Sequence, residues 1–257
     1  MLLPISSFLM PSRCALTFAL SLPLLSTAQA QRRTQLGVQA GAGLSWTQQQ
    51  GAASPSSWQR PSGQIGMVAE TRLSNQLALQ YGLGVTLKAY RSYSDEVFNQ
   101  GTADEVRLQA TTTTHLTYAQ LQTVAVFAPA GLSRGVRLLL GGYGSMGVWG
   151  RSADDLTETR PTESRSYGSN YRLRFGYFGG SGGGFGILGG GGSADIRPFD
   201  AGLLGGVGYR RKAVQVAACY EWGLGQLLPG YLERSFHYQA YLRGASLTAN
   251  YYLPAAK

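Results

Sequence analysis

The chain alternates apolar and polar positions along eight separate segments. In the first, residues 35–46 read QLGVQAGAGLSW, so that six apolar side chains alternate with glycine, glutamine and serine. Successive side chains of a β-strand point to opposite faces, so the pattern predicts a strand with one apolar face and one polar or small face. The same alternation predicts strands within residues 65–73, 77–89, 115–129, 136–148, 199–207, 214–224 and 245–253.

The connections between these predicted strands alternate between long and short. The short ones are residues 74–76, 130–134 and 210–212, and the long ones are residues 47–62, 91–113, 151–197 and 225–238. An even number of strands joined in this way is typical of an outer-membrane barrel. The sequence therefore predicts an all-β fold, an eight-stranded antiparallel transmembrane β-barrel with short periplasmic turns and long external loops.

A soluble eight-stranded barrel, such as a lipocalin, is the alternative, and it would bury the apolar face. Here the other face carries glycine, serine, glutamine and several charges, which suit the narrow interior of an eight-stranded barrel. We therefore predict that the apolar face contacts lipid. Aromatic residues at the strand ends are predicted to form two interfacial girdles. They are Trp46, Tyr90, Trp149, Phe199, Trp222 and Tyr241 next to the long loops, and Phe127, Tyr209 and Tyr251 near the short turns.

Residues 1–30 are predicted to be a secretory signal peptide, with translation starting at Met1 or Met10. A basic residue, Arg13, precedes the apolar run ALTFALSLPLL, which the small residues of STAQA follow. This order is typical of a signal peptide. The apolar run is shorter than the roughly 20 residues of a transmembrane helix. Residues 31–257 are then the barrel domain, in which Cys219 is the single cysteine and no internal disulfide is expected.

The charge is strongly positive, which favours an anionic partner. The chain has 22 Lys and Arg against 13 Asp and Glu, and removing Arg13 with the signal peptide leaves 21 − 13 = +8. Export makes nucleic acid an unsuitable partner, so we expect none. We predict contact with outer-membrane lipid and lipopolysaccharide, because interfacial Lys and Arg extend toward phosphate headgroups. The residues assigned to this contact are Arg172, Arg174, Arg210, Arg211, Lys212 and Arg243.

A glycine-rich segment raises the question of a phosphate-binding loop. Residues 176–192 read GYFGGSGGGFGILGGGG, in which eleven of seventeen residues are glycine. A phosphate-binding loop needs a preceding strand, a following helix and usually a lysine. Neither GK nor a helical pattern follows, so we predict a surface segment within one large external loop, about residues 151–197.

Residues that could carry out catalysis are few. The two histidines are His115 and His237, and His237 lies close to Ser235 and Glu233. Proximity within one loop does not supply the positioned nucleophile, base and orienting acid of a hydrolase. Two histidines and one thiol also lack the spacing of a metal site. We therefore predict a non-enzymatic protein with no catalytic, cofactor-binding or metal-binding residues.

Six charged residues fall on the polar faces of the predicted strands, and we interpret them as structural charges of the lumen. Isolated charges in a dry lumen are costly, so each is expected to find a partner or water. We predict that Lys88 pairs with Asp200 or Glu221 near the long loops. Near the short turns, Glu70 is predicted to pair with Arg137 or Arg72.

The strand motifs resemble the PorT-like outer-membrane β-barrel family of Bacteroidota-type Gram-negative bacteria. The resemblance rests on LGVQAGAGLSW, QYGLGVTLKAY, LTYAQLQTVAVFAP, DAGLLGGVGYR, CYEWGLGQLLP and SLTANYYL, and it covers nearly all of the predicted barrel. The fourth strand has YAQLQ where the family has a tyrosine–leucine–glutamate–isoleucine–proline run. The chain also ends at Pro254 to Lys257 rather than on an aromatic residue. The resemblance implies a barrel fold in the cell outer membrane, and some family members serve a protein-secretion system.

The function predicted from the sequence is that of a non-enzymatic outer-membrane barrel with a structural or recognition role through its external loops. A monomer is expected, with an envelope protein as a further partner. One alternative is an accessory barrel of a secretion system. Another is a narrow passive channel, which interior side chains should block, and the last is an outer-membrane hydrolase.

Overall fold

The computed structural model describes residues 34–50, 56–102, 104–175, 195–227 and 239–254. The predicted signal peptide, residues 1–30, and the glycine-rich segment, residues 176–192, lie outside these ranges. Glu233, Ser235 and His237 also lie outside them. None of the described residues forms a helix long and apolar enough to cross a membrane.

The described residues form ten strands, of which eight close into a ring. The strands are β1 (Thr34–Gln50), β2 (Ser56–Arg72), β3 (Leu77–Phe98), β4 (Val106–Phe127), β5 (Arg134–Arg160), β6 (Glu163–Phe175), β7 (Asp195–Ile196), β8 (Phe199–Arg211), β9 (Val214–Gln226) and β10 (Gln239–Tyr252). The order β4-β3-β2-β1-β10-β9-β8-β5 closes through pairing of β4 with β5. The described ladders of the ring are antiparallel. The predicted eight-stranded antiparallel barrel is confirmed.

The apolar side chains point outward and the polar ones point into the barrel. Leu36, Ile65 and Leu140 are 60%, 69% and 71% exposed, whereas Gln39 and Asn250 are buried. A soluble barrel would show the reverse arrangement. In hydrocarbon every backbone polar group needs an internal partner, which a closed ring provides. The exterior is therefore suited to lipid.

The strands next to the long loops extend further than the sequence predicts. β3 and β4 pair continuously out to Phe98 and Val106, and the outer part of β5 pairs with β6. The external segment predicted as a loop, about residues 151–197, thus begins as a hairpin. These outer parts lack an apolar face, as in RLQATTTT at residues 107–114. Threonine favours extended backbone without apolar alternation, which explains why the pattern did not reveal them.

A bulge in β5 changes which residues face outward. Thr117 pairs with Trp149 and Tyr118 pairs with Gly147, so Val148 has no partner. Val148 and Trp149 are consecutive and both exposed. An extra residue in one strand shifts the alternation of everything beyond it. Beyond the bulge, odd-numbered residues of β5 point outward, whereas even-numbered ones do so before it.

A second irregularity interrupts the pairing of β2 with β3. The ladder breaks between Gln59 and Gly63, around Pro61, which has no backbone N–H to donate. Ser45 of β1 compensates at this break. Its hydroxyl donates to the carbonyl oxygen of Ala89 at 2.7 Å and accepts from the N–H of Ala89 at 2.8 Å. The backbone N–H and C=O of Ala89 therefore stay hydrogen-bonded although the ladder with β2 is interrupted there.

The predicted girdle next to the long loops needs one correction. Trp149, Phe199 and Trp222 are exposed on the outer surface, but Tyr90 is buried inside the barrel. Tyr90 lies two residues beyond Lys88 and shares its inward face. The other girdle residues next to the short turns, Phe127, Tyr209 and Tyr251, are exposed.

Candidate functional site

The outer part of the lumen contains a buried lysine between two carboxylates. Lys88 Nζ lies 2.9 Å from Glu221 Oε2 and 3.6 Å from Asp200 Oδ2. The hydroxyl of Tyr143 donates to Asp200 at 3.1 Å, and the amide of Gln120 donates to Glu221 at 3.2 Å. The Lys88 ammonium also lies 4.6 Å from the ring centroid of Tyr143. The structure thus brings together the three residues that the sequence assigns to this depth.

The inner part of the lumen contains one carboxylate between two arginines. Glu70 Oε2 lies 2.5 Å from Arg137 Nη1, and Glu70 Oε1 lies 2.6 Å from Arg210 Nη1. The hydroxyl of Tyr252 donates to Glu70 at 3.1 Å, and Arg137 donates to Gln215 at 2.8 Å. All five side chains are buried. The charges of this layer are therefore both paired and hydrogen-bonded, which a dry interior requires.

Two basic residues of this layer differ from the sequence prediction. Arg210, expected to reach lipid headgroups, points into the lumen, because β8 continues to Arg211 and keeps its even-numbered residues inside. Arg72, expected to compete for Glu70, is half-buried and forms no ion pair with a described carboxylate. Arg210 occupies the position beside Glu70 instead. Extending the alternation of the sixth predicted strand by three residues would have identified it.

Two other residues assigned to headgroup contact show contrasting environments. Arg211 is exposed, as that contact requires. Arg243 is on the outer face but buried, with its Nε donating to Gln48 at 2.9 Å and its guanidinium 5.0 Å from the ring centroid of Trp222. Arg243 also donates to the carbonyl oxygen of Gly223. The side chain of Arg174 lies outside the described part.

Between the two charged layers the lumen is filled by amides. The amide of Gln122 donates to Gln39 at 2.8 Å, and the amide of Gln215 donates to Gln80 at 3.4 Å. Two cavities lined by Gln39 and Gln122 have volumes of about 20 and 10 Å³, which is space for single water molecules. This part of the lumen is packed, as expected of eight strands.

Both ends of the lumen contain apolar clusters. The cluster beyond the Lys88 layer includes Leu173 of β6 and Ile196 of β7, which lie against interior residues of the ring. The ring of Phe175 lies 6.0 Å from that of Tyr118 in an edge-on arrangement. The cluster near the short turns consists of Ala78, Val124, Val126, Ala128, Leu132, Leu139, Leu204 and Ala217. Strands β6 and β7 thus contribute apolar side chains to the outer end of the lumen.

The outer parts of β3, β4, β5 and β6 form a sheet beyond the ring, which we call the extracellular extension. Arg107 of β4 forms an ion pair with Asp95 of β3, and its guanidinium holds the pKa of that carboxyl well below its usual range. On the inner face, the hydroxyl of Tyr171 donates to Asp154 at 2.8 Å. In the described part of the chain, β6 pairs with β5 on one side and with β7 at only two residues on the other. Most of one β6 edge is therefore without a strand partner there.

Groups suited to catalysis or metal binding are not assembled in the described ranges. No cluster of three His, Cys, Asp or Glu side chains there is arranged to hold a metal ion. His115 is exposed on the outer face of β4, opposite Arg151. Cys219 is a free, half-buried thiol.

The chain matches no family model and no curated protein sequence. The solved structures similar to it include three barrels. Ail, the attachment invasion locus protein of Yersinia pestis, is 9% identical over 86% of this chain and 99% of its own, with a TM-score of 0.34. Neisserial surface protein A is 11% identical over 85% and 97%, with a TM-score of 0.33. The outer membrane protease OmpT from Escherichia coli is 9% identical over 86% and 97%, with a TM-score of 0.27.

The architecture rests on the strand pairing of this chain itself. Its eight-stranded ring is closed, its described ladders are antiparallel and its exterior is apolar. These features are those of an outer-membrane β-barrel, and the protein is located in the outer membrane.

Proposed function

We propose that the protein is a non-enzymatic, non-conducting outer-membrane barrel that recognises a partner through its extracellular extension. The observation that carries this proposal is the contrast between the two parts of the barrel. The lumen is packed and capped by Leu173 and Ile196, whereas four strands continue past the ring. A barrel built in this way offers no route for solutes but a large surface outside the membrane.

The length of the strands supports this division. A tilted transmembrane strand needs about 9–11 residues. β5 has 27 residues, and β3 and β4 have 22 each. Roughly half of each strand therefore lies outside the hydrocarbon. Because so much of the backbone outside the hydrocarbon is paired in strands, the external part is a structured surface rather than a set of simple connecting loops.

The β6 edge provides a suitable mode of recognition. Unpaired N–H and C=O groups along a sheet edge can add an extended segment of another protein as a further strand. Glu163 and Arg165 on this strand are charged and exposed, with Arg165 Nε 2.6 Å from Glu163 Oε1. Charges on an edge oppose uncontrolled self-association. The partner we propose is thus an extended polypeptide segment in the cell envelope or outside the cell.

A second candidate is an accessory barrel of a protein-secretion system, as the PorT-like resemblance implies. The sealed lumen supports an accessory role over that of the conduit itself. The same extracellular edge would then contact another component of that system. The recognition role and the accessory role thus use the same β6 edge and differ only in the protein that it contacts.

Conductance separates both candidates from the passive channel. Planar-bilayer recordings of the purified barrel are expected to show no steady open state, because paired charges, amides and an apolar cap fill the lumen. An open porin reconstituted in the same lipid serves as the positive control. A stable open state that passes small sugars would contradict the proposal.

Two matched truncations test the recognition surface. Asp154 pairs with Ser169, and Asp95 pairs with Gln109, so either hairpin can be closed there by an Asn-Gly turn. Replacing residues 155–168 removes the outer part of β6 together with its edge, and replacing residues 96–108 removes the neighbouring hairpin tip. Both variants are expected to keep heat-modifiable migration, because the ring below is unchanged.

Cross-linking on intact cells then reads out the partner. A photoreactive residue at Arg172, below the β5–β6 truncation, is expected to give an adduct that is lost when residues 155–168 are replaced and kept when residues 96–108 are replaced. A photoreactive residue at Gln76, in a short turn, is the topological control. Protein adducts that form only at Gln76, or protein adducts at Arg172 that survive the first truncation, would rule out this edge.

A further inference from the structure

A row of basic side chains crosses the outer face of four adjacent strands. His115 of β4 pairs directly with Arg151 of β5, and Arg151 pairs directly with Arg172 of β6. Arg91 of β3 pairs with Thr113, which places it diagonally next to His115. Directly paired residues of an antiparallel sheet have their Cβ atoms about 5 Å apart. The four side chains are therefore neighbours, and we call them the basic row.

The bulge at Val148 is what assembles this row. Before the bulge, even-numbered residues of β5 such as Met146 point to lipid, and Arg137 points into the lumen. Beyond it the alternation is shifted, so Arg151 is exposed and Ser152 is buried. Without the extra residue, Arg151 would point inward and the row would be interrupted at its centre.

The row lies just beyond the aromatic residues of the membrane interface. Trp149 precedes Arg151 by two positions on the same face, which is about 7 Å along the strand. Trp58, 61% exposed, pairs with Arg91. Tryptophan at the outer surface of a barrel marks the interface between hydrocarbon and headgroups. The basic row is thus at the depth of the headgroups.

Among the described residues, these cations have no carboxylate partner. In the described ranges, none of the four side chains forms a hydrogen bond or an ion pair. On the outer face of these strands, the nearest carboxylates are Asp95 and Asp155, each four residues further out than Arg91 or Arg151, which is about 13 Å. Asp95 is paired with Arg107.

Arg243 provides an internal comparison. It lies on the outer face on the opposite part of the ring, yet it is buried and its donors are used by Gln48 and backbone carbonyl oxygens. The basic row differs because His115, Arg151 and Arg172 are exposed and Arg91 is half-buried, and no described group occupies their side-chain donors. A site for an external anion needs free donors, and the row has them.

We propose that Arg91, His115, Arg151 and Arg172 bind the phosphate groups of lipopolysaccharide in the outer leaflet. Guanidinium groups match phosphate geometry with two parallel donors. The row spans three strand spacings, about 14 Å, which accommodates a headgroup with more than one phosphate. Trp149 lies below the phosphates, where the acyl chains begin. This inference requires only the outer-membrane location and is independent of the β6 edge.

Binding of fluorescent lipopolysaccharide to the refolded full-length barrel in zwitterionic micelles tests the site. Each of Arg151→Gln and Arg172→Gln is expected to weaken binding about fivefold, and the double variant about 25-fold, from the usual contribution of one surface cation. Arg107→Gln with Arg165→Gln is the matched control, since it removes the same charge from the extension farther from the membrane. This control is expected to change affinity less than about twofold, because screening limits distant charges.

Additional ligands and variants in the same binding assay show whether phosphate groups are what the row recognises. Dephosphorylated lipopolysaccharide is expected to bind the wild-type barrel as weakly as the double variant binds the intact lipid. Arg151→Lys, which keeps the charge but loses the paired donors, is expected to lie between wild type and Arg151→Gln. Equal loss in the remote control, or full affinity for the dephosphorylated lipid, would overturn the proposal. So would competition by phosphatidylglycerol vesicles as effective as that by lipopolysaccharide, which would assign the row to phospholipid.

Discussion

The variant Lys88→Met is expected to lower the free energy of unfolding by about 3–5 kcal/mol, the usual result of breaking a buried pair by removing one partner. Lys88 is the cation shared by Glu221 and Asp200, whose side chains are almost fully buried. Its loss leaves two buried carboxylates close together without a counter-charge. Urea unfolding in lipid vesicles, followed by heat-modifiable gel migration, measures the change.

The neutralising triple variant gives the decisive control for this prediction. Combining Lys88→Met with Asp200→Asn and Glu221→Gln removes the uncompensated charge, so most of the lost stability is expected to return. Arg107→Met breaks the exposed pair with Asp95, and it is expected to cost less than about 1 kcal/mol. Equal losses for Lys88→Met and Arg107→Met would show that the Lys88 pairs are solvated.

The variant Glu70→Gln is expected to have a comparable effect at the other end of the lumen. Glu70 is the carboxylate shared by Arg137 and Arg210, and it also accepts from Tyr252. Glutamine fills the same space but leaves two buried guanidinium groups without a counter-charge, which costs about 3–5 kcal/mol in similar cases. The midpoint of urea unfolding should fall while the slope stays the same, since the surface exposed on unfolding is unchanged.

Glu163→Gln is the matched surface control for Glu70→Gln. Glu163 also pairs with an arginine, but both of these side chains are at least half exposed. The expected loss is below about 1 kcal/mol. A Glu70→Gln barrel as stable as wild type would mean that water or another group neutralises the two arginines, contrary to the structure.

The alternation of side chains was sufficient to predict the barrel and the facing of its residues within the membrane. Parity is a local property of each strand, so Lys88, Asp200 and Glu221 could each be assigned to the lumen separately. Whether their side chains come into contact depends on the stagger of β3 against β8 and β9 around the ring. This stagger cannot be derived from the sequence of any single strand. The sequence consequently left two partners open for Lys88, and the structure uses both.

The features that the sequence did not reveal have three separate physical causes. Arg210 was assigned to the short connection 210–212, although strand pairing continues to Arg211. The extracellular extension lacks the apolar face that lipid imposes, so its polar strands gave no alternation to detect. The bulge at Val148 is a single inserted residue, and only the pairing of Thr117 with Trp149 exposes it.

The single unpaired residue Val148 also makes the outer surface sensitive to one deletion. The extra residue Val148 determines which side chains of outer β5 point outward. Deleting the Val148 codon would therefore exchange the inward and outward faces of that segment. The ring below would keep its lipid-facing side chains, since their alternation is set before residue 148. Deletion of this one codon would thus change which side chains of outer β5 are exposed outside the cell, and with them its antigenic surface. The transmembrane ring would stay the same.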